Sequence, residues 1–499
     1  MKDEKHFDVV VVGTGNAALS AAVSASEKGA KVLMLEKGPE HKRGGNSFFT
    51  DGAIRFAYND LAGIKRIVDD LSEAEASKIE MPEYDIKAFH EDLMKVTKRK
   101  SKPELAEHLV SKSYETILWM KEQGVKFIMN ENQFFEKDGT KTFWGGLPVK
   151  TDNKGIGLVE ALFEKAKANG VEIWYESPAV KLEKKNGEIS GVQVKQSNGV
   201  SVVVPAKSVV LACGGFEADK KKRMEYLGDE WEEAVVRGSE YNTGDGITMA
   251  LEAGAVRAGQ YDGCHAHTTD YNAPRVGDYS KPGDIYKKSS YPLGLIVNTE
   301  GKRFVDEGAD FRNYTYAKYG KETLKQPDHK AFQLYDSRVR PMLRVEYDLE
   351  EATVFKADAL EELAVKMGVP KEVFLKTISQ YNDAVQDGEY NPSIKDGKST
   401  QGISPEKTNW ALKFDKAPFY AYPVTCGITF TFGAVKVNDK AEVLDDSEQP
   451  VKGLYAAGEM VGELFYHNYP GGSGLMSGSV FGRTAGMSAV ESIRDKTLN

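Results

Sequence analysis

Phe7–Lys37 reads FDVVVVGTGNAALSAAVSASEKGAKVLMLEK, and the way this stretch divides decides the fold. Asp8–Val12 is an apolar, β-branched run, long enough for a buried parallel strand and too short for a helix. Gly13-Thr14-Gly15-Asn16-Ala17-Ala18 then turns directly into an alanine-rich helix. Gly13 admits a tight turn, and Gly15 lets backbone N–H groups approach a pyrophosphate. Ala18, where a third glycine often stands, lets helix and strand pack closely. The helix N-terminus adds partial positive charge for phosphates. A second apolar run, Lys31–Leu35, ends in Glu36, about twenty residues on, where an acid can hold a ribose hydroxyl. Glu36 also argues against a 2′-phosphate, which calls for arginine. The expected fold class is α/β, a Rossmann-like βαβ unit with a β-meander, joined to an inserted α+β cap.

The bulk numbers are consistent with this. A chain of 499 residues buries a large core and divides into more than one domain. Its net charge of −9 disfavours nucleic acid and anionic membranes. Met1–His6 is polar and runs straight into the first strand, so no secretory signal is expected. No apolar run reaches the ~20 residues of a spanning helix. Cys213, Cys264 and Cys426 form neither a disulfide framework nor an iron–sulfur, zinc or haem motif, so no metal is expected. The expected location is the cytoplasm, with further electron carriers on a separate molecule.

Outward from the opening unit, Gly44-Gly45-Asn46-Ser47 can bring backbone donors against a flat ring, or form a plain surface loop. About 60–125 repeats apolar residues at helical spacing, over Ser72–Ile79, Asp85–Lys98 and Lys102–Lys121, a helical excursion. Val159–Asn169 predicts a further helix. Strands follow at Glu172–Tyr175, Ala179–Lys184, Ile189–Lys195 and Val200–Pro205, with turn signals at Asn186-Gly187 and Asn198-Gly199. Ser208–Ala212 reads as a third buried strand ending in Cys213-Gly214-Gly215-Phe216. Asp245, between Gly244 and Gly246, either caps the helix Ile247–Ala253 or touches cofactor. The chain thus divides into 1–259, an aromatic and basic 260–431, and a returning 432–499. Within the cap, Lys356–Gln386 is expected to be helical. In the return, Ala434–Val437 and Ala441–Leu444 read as a hairpin and Gly453–Glu459 as a buried strand. A small-residue helix, Met476–Glu491, opens after His467-Asn-Tyr469-Pro-Gly471-Gly472-Ser473-Gly474-Leu475.

Together Gly13-Thr-Gly15, Glu36, Gly44-Gly45-Asn46-Ser47, Ala212-Cys-Gly214-Gly215-Phe216, Gly301-Lys-Arg303-Phe304-Val-Asp-Glu307, Gly453–Glu459 and Phe481-Gly482-Arg483 resemble the fumarate reductase/succinate dehydrogenase flavoprotein superfamily. Thr429-Phe-Thr-Phe-Gly433 and Asn468–Leu475 most resemble its tricarballylate dehydrogenase branch. The resemblance implies FAD, held by Gly13, Gly15, Asn16, Ala17, Glu36, Lys37, Gly44, Gly45, Asn46, Ser47, Gly52, Ala179, Val180, Ala212, Gly214, Gly215, Asp245, Gly458, Glu459, Gly472, Ser473, Gly474 and Leu475. Asn46 stands where relatives carry the histidine that joins flavin covalently, so FAD is expected to be non-covalent. Arg312 aligns to a proton-shuttling arginine and His265 to a substrate-carboxylate histidine. The family's relay acid and arginine fall on Lys287 and Ser290, its second substrate histidine on Phe430, and its carboxylate-clamping arginine on Tyr469.

These matches imply a dehydrogenase or reductase acting on a carbon–carbon bond of a small di- or tricarboxylate, with tricarballylate to cis-aconitate as the model case. The expected catalytic residues are Arg312, His265, His467 and Tyr469. A guanidinium fork suits carboxylate, so Arg312 is a clamp, a proton carrier, or a mere ion-pair partner of Glu307 or Asp310. Tyr469 either packs on flavin or, with His467, replaces the missing clamp by hydrogen bonding. A separate iron–sulfur or quinone-linked partner is implied. The alternatives are an enoate reductase, a 3-ketosteroid dehydrogenase-like enzyme, and a non-catalytic flavin electron-transfer subunit.

Overall fold

In the computed structural model the described residues are 6–196, 199–281 and 283–498. Asn198 of the second turn signal, and Met1–Lys5 of the polar start, lie outside them. The strand Phe7–Val12 lies in the middle of an eight-stranded sheet. It runs parallel to Val32–Leu35 on one side and to Ser201–Leu211 on the other. Glu172–Trp174 and Pro450–Ala456 continue the parallel order outward. Val9, Val10 and Val11 are wholly buried, as a strand covered on both faces requires.

The expected strands Val200–Pro205 and Ser208–Ala212 are one strand, Ser201–Leu211. Its first half pairs antiparallel with Glu188–Lys195 as far as Pro205, and its second half pairs parallel with Phe7–Val12 from Ala206. Pro205, which has no N–H to give, sits at the point where the partner changes. Asn186 (φ 54°) and Gly187 (φ 84°) form the tight turn expected between Ala179–Lys185 and Glu188–Lys195.

The helix Asn16–Glu27 lies against the C-terminal helix Ser473–Leu498. Gly478, Gly482 and Gly486, four residues apart, make the approach possible. A Cβ at Gly482 would stand 2.3 Å from the Ala17 carbonyl oxygen, and one at Gly486 2.3 Å from that of Ala21. First and last segments therefore share one apolar core with the sheet.

A second sheet, of six strands, is built on the 17-residue strand Phe419–Val435. Arg257–Asp270 pairs with it antiparallel, as do Ala331–Tyr335 and Phe355–Ala357. The expected boundaries at 259/260 and 431/432 both fall inside strands of this second sheet, Arg257–Asp270 and Phe419–Val435. Lys356–Gln386 is two helices rather than one, Leu360–Met367 and Lys371–Ala384, because Gly368 (φ 72°) and Pro370 intervene. Ser72–Ile79 yields only the short helix Glu73–Ala76, while Ile86–Val96 and Pro103–Glu122 form as expected. No helix of the described residues is long and apolar enough to cross a membrane.

Candidate functional site

A cavity of about 490 Å³ runs from the Gly13 turn to the underside of the second sheet, within the size range of small-molecule sites. Gly13 (φ 110°) makes the turn tight, and a Cβ there would meet the Ala212 carbonyl oxygen at 2.4 Å. The helix Asn16–Glu27 opens without a side-chain cap and with no acid in its first turn, an arrangement that suits phosphate. Asn16 is clamped: its N–H donates to Ser47 Oγ at 2.9 Å, and its Nδ2 donates to the Leu475 carbonyl at 2.8 Å. At the far end of Val32–Leu35, the Glu36 carboxylate accepts from Thr14 Oγ1 and from the Gly38 N–H. Burial raises its affinity for a proton.

Of the residues expected to hold cofactor, Gly13, Gly15, Asn16, Ala17, Glu36, Lys37, Gly45, Asn46, Ser47, Ala179, Ala212, Gly214, Asp245, Gly458, Glu459, Gly472, Gly474 and Leu475 line this cavity. Gly44, Gly52, Val180, Gly215 and Ser473 do not. Val180 alternates outward from buried Ala179 and is 39% exposed, as strand periodicity dictates. Gly52 and Gly215 pack against Thr151 and Glu459. Ser473 turns inward and donates to the Pro470 carbonyl. Asp245 begins its helix and meets Lys37 at 2.8 Å while also facing the cavity.

Behind Asn46 lie two acids, Glu217 buried and Glu459 half-buried at the cavity wall. Asn46 Nδ2 donates to Glu217 Oε1 at 2.6 Å, as does Asn242 Nδ2 at 2.7 Å. Glu459 Oε1 accepts from the Thr431 N–H at 2.6 Å. Burial, then the neighbouring Glu217 charge, pushes Glu459 well above the ordinary carboxylate range.

His265, Tyr469 and Arg312 line the same cavity, and His467 does not. His467 has φ 61°, its N–H donates to Gln260 Oε1 at 2.7 Å, and its ring feels Lys98 and Lys100. Tyr466 and Asn468 pair across it in a tight turn. His265 and His267 both reach the cavity from Arg257–Asp270. A register shift between His265 and Ala266, opposite Phe430 and Ile428, lies between the two histidines. Burial, then the Arg237 charge, pushes both imidazoles well below their usual value, so both are neutral. His265 Nδ1 meets Thr429 Oγ1 at 2.8 Å.

Arg312 begins the helix Arg312–Leu324. Glu307 is not its partner: Arg303 takes that carboxylate at 2.6 Å, both side chains buried. Lys287 lines the cavity with Arg312, Arg344 and Glu346. Burial pushes its ammonium down to about 7, with Arg344, Arg312 and Lys288 adding to the fall and Glu346 opposing it. Asp51, which it touches, also opposes it, weakened by 43% exposure of that carboxylate. Arg237, Asp284, Arg344 and Glu346 are cavity residues that sequence reasoning missed. Arg237 follows a two-residue strand, Val235–Val236, and Arg344 precedes a single 3₁₀ turn. Neither leaves a periodic trace. Among the described residues no group of three or more metal-binding side chains comes together.

Residues 8–475 match the family described as FAD binding domain. The chain is 28% identical to the NADH:acrylate oxidoreductase of Vibrio harveyi, over 97% of its own length and 50% of that protein. It is 28% identical to the vinyl phenol reductase of Lactiplantibacillus plantarum, over 96% of each chain. It superposes with a TM-score of 0.74, at 27% identity, on the open conformation of a flavocytochrome c3 fumarate reductase, covering 98% of this chain and 79% of that one. The chain thus spans about half the length of the first of these relatives. The uncapped helix start, the glycine turn and the placement of Glu36 agree with the family's cofactor. The chain belongs to this FAD-binding family, within the fumarate reductase/succinate dehydrogenase flavoprotein superfamily.

Proposed function

We propose that the chain is an FAD-dependent oxidoreductase that adds or removes two hydrogens across the carbon–carbon bond next to the carboxylate of a small acid. One observation carries this: a single cavity joins the dinucleotide residues Gly13, Glu36 and Gly458 to Arg312, Lys287 and His265. FAD, when bound, supplies the two-electron exchange with substrate carbon at N5. The chain's own residues do the rest. Arg312 offers a planar fork to carboxylate. Lys287, poised near neutrality, gives or takes the proton at the carbon beside it. Neutral His265 and His267 bond substrate oxygen without adding charge. The N-terminus of Ser473–Leu498 favours the negative charge that develops during the reaction.

Relatives named for acrylate and fumarate support an unsaturated acid or its saturated product. Tricarballylate, oxidised to cis-aconitate, is one member of that class. FAD is held without a covalent bond, because Asn46 presents an amide already bonded to Glu217 and to the Thr429 carbonyl. A separate iron–sulfur or quinone-linked partner exchanges the electrons, and the chain works in the cytoplasm. The test is anaerobic addition of saturated acids to oxidised protein, and of unsaturated acids to protein reduced by viologen, while flavin absorbance is followed. Change with at least one acid is expected. A flavin that responds to a steroid and to no acid replaces this reading.

A further inference from the structure

The acid-binding end of the cavity holds two chemistries. Around Arg312, Lys287 touches Asp51 and Arg237 touches Asp284, while the Arg344 guanidinium donates to Glu346 at 3.1 Å. All six side chains line the cavity. Each of these three cations therefore already faces a carboxylate of the chain. Arg237 is 9% and Asp284 14% exposed, and Glu346 is 3% exposed, so these two pairs are poorly screened, whereas the Lys287 pair opens to solvent at Asp51. A di- or tricarboxylate here would bring two or three charges to cations that are engaged, and uncompensated charge in such a space costs several kcal/mol.

The other chemistry is aromatic. Phe430 and Tyr469 line the cavity with ring centroids 5.4 Å apart, edge to face. Phe465 stands behind both, 5.8 Å from Phe430 and 5.1 Å from Tyr469. Tyr469 is stacked on His265, 4.9 Å between centroids and 24° between planes. Because His265 is neutral, this ring pair presents a flat polarisable surface and not a cationic one. Gly474, whose Cβ would stand 3.7 Å from Phe430 and from Tyr469, keeps that surface next to the start of the C-terminal helix.

Resting on the carboxylate reading above, we propose that the substrate is a monocarboxylate whose carbon–carbon bond carries a flat aromatic substituent, an arylacrylate or the corresponding arylpropionate. Its carboxylate lies at Arg312 and its ring against Tyr469 and Phe430. Written as a reduction, Ar–CH=CH–COO⁻ takes up two electrons and two protons to give Ar–CH₂–CH₂–COO⁻. The π bond is lost, two C–H bonds form, and the electrons arrive through reduced FAD from a one-electron donor, reduced viologen in the test.

The FAD-loaded chain is titrated with cinnamate, acrylate, fumarate and tricarballylate, reading the difference spectrum of the bound flavin, and each acid is then offered as acceptor for reduced viologen. Cinnamate should bind at least about tenfold more tightly than fumarate or tricarballylate, the scale of a well-packed aromatic contact. Tyr469→Ala should lower the ratio of cinnamate to acrylate affinity about tenfold, and Tyr469→Phe should preserve it. If Tyr469→Ala loses FAD, Phe430→Ala provides the same ratio. Tighter binding of fumarate or tricarballylate than of cinnamate, or an unchanged ratio in the alanine variants, overturns the aryl assignment while leaving the carboxylate reading intact. Silence of the flavin towards all four acids overturns both.

Discussion

Lys287 is a cation held where cations are disfavoured, and the consequence is readable in pH. Its ammonium titrates at about 7. In the reducing direction the charged form is the proton donor, so kcat/KM should be flat on the acid side and fall as pH rises through about 7. In the oxidising direction the neutral form is the base, and the same limb should rise. Lys287→Gln should remove this inflection and cost about 10²–10⁴ in rate, with FAD retained; an unchanged pH profile would take Lys287 out of the chemistry. Arg312→Lys should fold and stay yellow yet lose about 10²–10³ in turnover, since an ammonium has no planar fork. Near-normal rates in that variant would show that Arg312 touches no reacting group. At this scale the sequence pointed to cavity residues where they follow a motif: Glu36, Asn46 and Asn16 all line it. His467, expected beside them, has a positive φ and stands outside the lining, and the sequence was silent on Arg237, whose N–H donates to the Ile428 carbonyl far along the chain.

Between elements, the contact of Asn16–Glu27 with Ser473–Leu498 depends on absent side chains. Gly482→Val would drive a branched carbon into the Ala17 carbonyl, 2.3 Å from the first added atom. The expected cost is about 1–3 kcal/mol, seen as a lower denaturant midpoint, together with weaker FAD binding, because Ala17 lines the cavity. Full retention of both would mean the helices can part without disturbing the turn. The parallel strands and the long helices were legible because apolar period and glycine punctuation agree there. The merging of Val200–Pro205 with Ser208–Ala212 was not, because Pro205 reads locally as a break and only the sheet shows that it marks a change of partner. Lys356–Gln386 carried its own break in Gly368 and Pro370, which periodicity alone outweighed.

In the whole molecule the apolar interior is divided. One cluster lies around the first sheet, and another gathers Leu295, Phe332, Leu363, Phe374 and Phe419 between the second sheet and its helices. Two unfolding steps are expected by calorimetry, the earlier or later of which responds to FAD while the other does not. FAD at about 100 times its dissociation constant should stabilise the responsive step by about 2.7 kcal/mol; one transition moving as a unit would show that the cores are cooperative. The α/β class and the return of the last segment to the first were legible in the glycine motifs at each end. The role of Phe419–Val435 as the strand that pairs with four others of the second sheet was not, because no local pattern records which strands it joins.

The hydrogen bonds from Asn16 to Leu475 and Ser479 span 459 and 463 residues. On the ribosome, the phosphate turn is therefore made several hundred residues before its lock. The nucleotide cradle stays unfinished over that interval, and the yellow colour can be acquired only after the helix Ser473–Leu498 has left the exit tunnel.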